Sequence, residues 1–180
     1  MELNFSPFPV LQTERLRLRP LAEADANFIY KLRTNAHNNR YLDLPMPERV
    51  EDCMAHVHRI QKGISSNLHI YWAIDLLQNQ DVIGTICLWN FDLGRASAEL
   101  GYELSETHQK KDYMTEALTE VINYATVDLE LKELEAYTHE NNDASTKLLL
   151  RQGFTLKGYQ EEKHSRTQQA YRYAIYSKSW

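Results

Sequence analysis

The sequence predicts a mixed α/β (α+β) domain, with a sheet of about six to seven strands flanked by about four helices. Three observations carry this. Strand-period and helix-period segments interleave in the order strand, two helices, three strands, helix, strand, helix, two strands. At 180 residues with 43% hydrophobic side chains, the chain has enough apolar surface for one sizeable core and too little length for two ordinary domains. Neither an internal repeat nor a low-complexity linker divides it, so residues 1–180 are expected to form a single domain.

After a lead-in broken by prolines, Thr13 to Leu21 alternates Leu16 and Leu18 with Arg15, Arg17 and Arg19, the period of a strand with one buried face. Ala24 to Arg33 carries Phe28, Ile29 and Leu32 at helical spacing. Pro47 opens a second helical stretch with Val50, Met54, Val57 and Ile60 on one face, and Gly63 is its expected end. Three β-rich runs follow, Leu68 to Leu76, Val82 to Trp89 and Ser97 to Leu104, and read as a meander. Asn79-Gln80-Asp81 and Asp92-Leu93-Gly94 supply the turns between them. Thr115 to Val127 is amphipathic through Ala117, Leu118, Val121, Ile122 and Ala125; Leu134 to Thr138 is a short strand. Asp143 to Gln152 is a last helix stopped by Gly153. Phe154 to Tyr159 and Ala170 to Tyr176 suggest a closing β pair, with Tyr171, Tyr173 and Tyr176 as sheet core.

A formal net charge of -5 argues against a general affinity for nucleic acid or anionic membrane, since both depend on excess basic charge. The two cysteines, Cys53 and Cys87, are too few for a disulfide framework and read as reduced thiols. The first residues, MELNFSPFPV, lack a basic segment leading into an apolar run, and no stretch of 18 apolar residues occurs. The cytoplasm is therefore the expected location. Cys53, His56 and His58 resemble metal ligands only superficially: on a helix just the first two share a face, and no metal is expected.

The chemistry concentrates in two stretches. Ala98 to Ala117 (AELGYELSETHQKKDYMTEA) places a strand, a polar loop with Lys110 and Lys111, and a helix start in succession. The unpaired N–H groups and partial positive charge of a helix N-terminus make such a loop a natural phosphate cradle. Glu140 to Phe154 (ENNDASTKLLLRQGF) follows a short strand and combines an Asn, a hydroxyl one turn later and a Gly-Phe ending. Together they resemble the GNAT superfamily of acetyltransferases, specifically the RimJ/RimL-like branch that acetylates N-terminal amines of ribosomal proteins. The matching residues are Glu99-Leu100-Gly101-Tyr102, then Thr115 to Leu118, Asn142 to Ser145, Gly153-Phe154, and the opening Thr13 to Arg19.

This resemblance implies a centrally splayed sheet that holds acetyl-CoA as co-substrate between the strands at Ser97 to Leu104 and Leu134 to Thr138. Pantetheine would bond to backbone at Tyr102, Glu103 and Leu104. The diphosphate would sit on Gln109, Lys110, Lys111, Asp112, Tyr113, Met114 and Thr115, with Asn142 and Ser145 as further cofactor contacts. Asn142 is equally suited to cap the helix it precedes, and Tyr113 to pack at a helix start. The loop departs from the family pattern at two positions, where Asp112 and Met114 replace spaced glycines. Asp tolerates a left-handed conformation, but its charge beside a diphosphate predicts weaker CoA binding, with Lys110 and Lys111 in opposition.

Glu99 is the first choice of general base. Strand alternation sets Glu99, Gly101 and Glu103 on one face, and the missing side chain at Gly101 leaves room beside Glu99. His139 and Glu140 are the alternatives. The superfamily's helix Tyr that assists the departing thiolate corresponds to Leu149, so Ser145 is expected to serve beside the thiol by hydrogen bonding. The expected acceptor is a primary amine, first a ribosomal or other protein N-terminus, alternatively a polyamine, amino acid or aminoglycoside. A CoA-binding regulatory module without turnover is the third reading, motivated by Asp112 and the missing Tyr. The acceptor pocket is expected from the first two helices and the C-terminal strand pair, with Asp43, Glu161 and Glu162 as attractants for a cation. A monomer or homodimer is expected.

Overall fold

The computed structural model describes residues 3–43, 45–163, 165, 168 and 170–180. Its strands are β1 (Leu11–Gln12), β2 (Leu16–Pro20), β3 (Ile70–Leu76), β4 (Val82–Asp92), β5 (Ser97–Leu104), β6 (Glu133–His139), β7 (Thr155–Lys163) and β8 (Ala170–Ser179). The helices are α1 (Ala26–Thr34), α2 (Ala36–Asn39), α3 (Val50–Ser65), α4 (Tyr113–Val127) and α5 (Asp143–Arg151). Among the described residues this gives eight strands and five α-helices, against the six to seven and four expected. The additions are β1, two residues long, and α2, four residues long, both too short to show a period.

The strands form one sheet in the order β1-β2-β3-β4-β5-β6-β8-β7, antiparallel throughout except between β5 and β6. Alternation then sorts side chains onto two faces. Leu16, Leu18, Ile70, Trp72, Ile74, Ile86, Leu88 and Leu100 pack with Ala117, Leu118 and Val121 of α4 and Leu148 and Leu149 of α5. Ala73 and Tyr71 face the other way, onto Ile29 of α1 and Cys53, Val57 and Ile60 of α3. Arg19 ties this second layer to β2 and β3: it pairs with Asp25 at 2.8 Å and with Asp75 at 2.6 Å. Both carboxylates are buried, so each needs that partner.

Two boundaries differ from expectation for physical reasons. Helix α3 starts at Val50 rather than Pro47 and runs through Gly63 to Ser65. Gly63 does not end it; a Cβ there would lie 2.0 Å from Cε1 of His69, so the residue is small because the His69 ring packs on it. Helix α4 begins two residues early, at Tyr113. Cys53 and Cys87 are free thiols, and no helix among the described residues is long and apolar enough to cross a membrane.

Candidate active site

The parallel pair β5/β6 is joined only at Ser97↔Glu133, Ala98↔Leu134 and Glu99↔Glu135. Beyond Glu99 the strands part, although β5 stays paired with β4 on its other edge up to Leu104. Ser105 N–H donates to the Ile83 carbonyl on the β4 side, so alternation turns the backbone groups of Tyr102 and Leu104 to the open edge. The Leu104 carbonyl accepts from the Gln109 side chain at 3.1 Å. Among the described residues no strand pairs with the Tyr102 peptide groups on that edge, so they are open to an extended amide chain.

Below the slot, the turn into α4 is built from left-handed residues. Lys110 has φ 61° and Asp112 φ 60°. That is the backbone for which glycine is the unstrained choice, and Asp112 occupies it as the N-cap of α4 without a side-chain cap bond. Glu116 N–H is the first to find an intrahelical acceptor, the Asp112 carbonyl at 3.0 Å. Those of Tyr113, Met114 and Thr115 precede it and are available to an anion. The Met114 side chain is 7% exposed and packs in the core, so its part in the turn is through the backbone N–H. The Asp112 carboxylate meets Arg151 of α5 at 3.4 Å, both side chains well exposed. That exposed partner offsets part of the charge repulsion read from the sequence.

On the α4/α5 face of β5, Tyr102 Oη lies 2.7 Å from Ser145 Oγ across the slot. Burial pushes the Tyr102 phenol up to about 12, the hydrogen bond with Ser145 opposing this in part. Tyr102 therefore remains a phenol at neutral pH and a donor. This Tyr stands on a strand and not on the last helix, where Leu149 is fully buried; the strand alternation that sets Glu99 on one face sets Tyr102 on the other. Asn142 caps α5, its side-chain oxygen accepting from Ser145 N–H at 3.3 Å.

On the opposite face Glu99 and Glu103 have different fates, and Glu140 lies just past the end of β6. Glu103 is 2.6 Å from Arg33 of α1; burial pushes its carboxyl up and the guanidinium opposes that, so its side chain is a tie to α1. Glu140 accepts from Arg172 at 2.5 Å, which holds its carboxyl below the ordinary range and unsuited to take a proton. Glu99 sits at the point where the strands part, and Asn90 Nδ2 donates to it at 2.9 Å. Asn90 has φ 46° within a bulge of β4 between Trp89 and Asp92, which aims its side chain at Glu99.

His139 follows Glu99's partner Glu135 on the same face of β6. Its ring stacks on Tyr171 at 5.5 Å and tilts against Tyr41 at 5.2 Å, and its Nδ1 accepts from Asn141 N–H. With Nδ1 so occupied, a neutral ring carries its proton on Nε2 and is a donor there, which weakens its case as a base. Tyr171 and Tyr173 are half-buried in this aromatic row, unlike Tyr176, which is core as expected. A pocket of about 380 Å³ opens here between residues 40–43 after α2 and the ends of β6 and β8, lined by Arg40, Tyr41, Asp43, His139, Glu140 and Tyr171. Glu161 and Glu162 lie on β7 and do not line it. Among the described residues no group of three or more His, Cys, Asp or Glu side chains is arranged to hold a metal ion.

Residues 15–155 match the family model of the acetyltransferase (GNAT) domain. The chain belongs to the GNAT acetyltransferase family. It is 30% identical over 151 residues to the uncharacterized N-acetyltransferase YoaA of Bacillus subtilis, covering 84% of this chain and 85% of that protein. The ribosomal-protein-serine acetyltransferase of Escherichia coli is 25% identical over 81% of this chain and 82% of its own. The solved structure of RimL, a ribosomal L7/L12 alpha-N-protein acetyltransferase in complex with coenzyme A, superposes with a TM-score of 0.81 at 17% identity, covering 95% and 98% of the two chains. The fold is thus that of GNAT acetyltransferases, the likeness to the RimJ/RimL-like branch is borne out, and the chain is an acetyltransferase enzyme.

Proposed function

We propose that the enzyme moves the acetyl group of acetyl-CoA to a primary amine, a protein N-terminal α-amine, by direct attack in a ternary complex. One observation carries the reading: the parting of β5 and β6 leaves Glu99 at the vertex on one face and the Tyr102–Ser145 hydroxyl pair on the other. Acetyl-CoA supplies an activated thioester. The open edge at Tyr102 suits its pantetheine amides, and the turn Gln109 to Thr115 suits its diphosphate.

An α-amine titrates near 7.7–8.0 and must lose its proton to attack. Glu99 takes that proton, directly or through water, while Asn90 holds the carboxylate in place. The departing sulfur needs charge stabilisation on the opposite face. A thiol titrates near 8.5, so full transfer from a phenol raised to about 12 is roughly 5 kcal/mol uphill; Tyr102 and Ser145 therefore act by hydrogen bonding. The pocket beside His139, where Tyr41 and Tyr171 stand with Arg40, Asp43 and the Arg172-paired Glu140, suits a polar amine chain. Relatives that acetylate ribosomal proteins support a protein acceptor. The reading takes residues 1–180 as one catalytic domain working in the cytoplasm, as a monomer or homodimer.

Calorimetry with acetyl-CoA, followed by thiol release on a panel of N-terminal peptides, polyamines, amino acids and aminoglycosides, tests this. Micromolar binding and turnover on peptides are expected. Turnover confined to small amines favours the alternative acceptor class, for which the pocket's limited volume speaks. Binding with no turnover on any acceptor turns the reading to a regulatory CoA-binding module.

A further inference from the structure

The segment just before β2 reaches across to α4 through a set of contacts that the chemistry above does not use. Glu116, in the first turn of α4, accepts from Thr13 Oγ1 at 2.5 Å, from Arg15 N–H at 2.8 Å and from Arg15 Nε at 2.7 Å. The same guanidinium donates through Nη1 to the Lys111 carbonyl at 3.1 Å and lies 4.6 Å over the Tyr113 ring. One side chain thus grips three consecutive parts of the turn: the carbonyl between the two left-handed residues Lys110 and Asp112, the ring of the first helical residue, and the carboxylate one turn on. Partial burial pushes the Glu116 carboxyl up, but its hydrogen bonds with Thr13 and Arg15 outweigh this and hold it below the ordinary range. The latch is therefore charged on both sides at neutral pH.

We propose that Arg15 and Glu116 are positioning residues for the diphosphate of acetyl-CoA, acting through the peptide planes of residues 110–116 and not by touching the cofactor; the inference rests on the cofactor reading given above. The reasoning is geometric. A peptide whose carbonyl is fixed has its following N–H fixed as well, because the amide is planar. Holding the Lys111 carbonyl toward Arg15 sets the Asp112 N–H on the opposite side of that peptide. Holding Glu116 fixes the first turn whose free N–H groups meet the anion. A glycine-free turn with two left-handed residues has alternatives that relieve its torsional strain, so it needs an external brace. Lysine in place of Arg15 offers one ammonium and cannot serve Glu116 and the Lys111 carbonyl in the same fork geometry.

The test compares Arg15→Ala, Arg15→Lys and Glu116→Gln with the parent protein, using CoA and pantetheine as probes. Pantetheine occupies the β5 edge but carries no diphosphate. Arg15→Ala is expected to weaken CoA binding about tenfold and to raise KM for acetyl-CoA equally. Pantetheine affinity and kcat at saturation stay within twofold, and Arg15→Lys recovers part of the loss. Amide hydrogen exchange of residues 110–116 without any cofactor should quicken in Arg15→Ala and in Glu116→Gln. Unchanged CoA affinity, equal losses for CoA and pantetheine, or a fall in kcat at constant KM each overturn the proposal. So does unchanged exchange in the turn. If the parent protein itself fails to bind CoA, the cofactor reading falls, and the exchange measurement still judges the latch on its own.

Discussion

Replacing Asp112 separates the two penalties that this residue places on the cofactor turn. The first is electrostatic. A carboxylate beside a diphosphate in a water-exposed site costs about 1 kcal/mol per unit charge met at close range, and the exposed Arg151 partner at 3.4 Å offsets only part of it. Asp112→Asn removes the charge and keeps a side chain that tolerates φ 60°, so CoA affinity should rise about fivefold at low salt. At 0.5 M salt, where screening acts over a few ångström, the gain should shrink below twofold. The second penalty is conformational. Asp112→Gly relieves the left-handed strain in addition, adding about 1 kcal/mol to stability and raising Tm by roughly 2–4 °C. Calorimetry across a salt series, with thermal melts of both variants, makes the comparison. Weaker or unchanged CoA binding by Asp112→Asn at low salt would refute the electrostatic argument. A melting temperature for Asp112→Gly at or below the parent's would refute the conformational one.

Tyr102→Phe should lower kcat about tenfold with KM for acetyl-CoA within threefold, since it removes one hydrogen bond needed mainly by the departing thiolate. Ser145→Ala should cost less, and the double variant less than the product of the two; independent, multiplicative losses would mean that the 2.7 Å pair does not act as a unit. Glu99→Gln should reduce kcat about a hundredfold and spare CoA affinity; an undiminished kcat would assign the base elsewhere. Gly63→Ala, whose new Cβ would lie 2.0 Å from the His69 ring, should destabilise the fold by about 2 kcal/mol, a drop in Tm of roughly 4–8 °C. A melt unaltered from the parent's would show that His69 can move aside freely.

What was legible in the sequence is what is locally encoded. The meander β3–β4–β5 and the faces of α1, α3 and α4 show through because each buries a regular stripe, and hydrophobic period is a property of neighbouring positions. The turn into α4 is legible as a position and, at Asp112, as a departure from glycine; Asp112 there adopts the αL torsion that glycine would favour. Gly63 carried a local stop signal that a tertiary contact overrode: the His69 ring occupies the space where a side chain would be, and the helix continues beneath it. The Tyr102–Ser145 pair was out of reach for a different reason. Its two hydroxyls are 43 positions apart, on a strand and a helix whose relative placement only the packed fold defines. The same holds for Thr13, Arg15 and Glu116, which the sequence offered as two separate motifs and the fold joins into one contact set.

Glu99 and Glu103 show why the site lies where it does. They share a strand, a face and a residue type, and alternation alone gives no reason to prefer either. The difference comes from where β6 leaves β5. Glu103 lies beyond the parting, beneath α1, where an ionised carboxylate is tolerable only with a cation in contact, and Arg33 at 2.6 Å is that cation. Its charge is committed to holding α1 against the open half of β5. Glu99 is the last residue of β5 still paired with β6, so its backbone is fixed from both sides while its carboxylate has one neutral partner, Asn90. A base must be rigidly placed yet not already committed to a cation, because a carboxylate held in an ion pair is not at liberty to meet the substrate's proton. Glu103 is committed to Arg33, Glu133 and Glu135 of β6 to Arg95, and Glu140 just past β6 to Arg172, whereas Glu99 satisfies both conditions at the vertex of the slot.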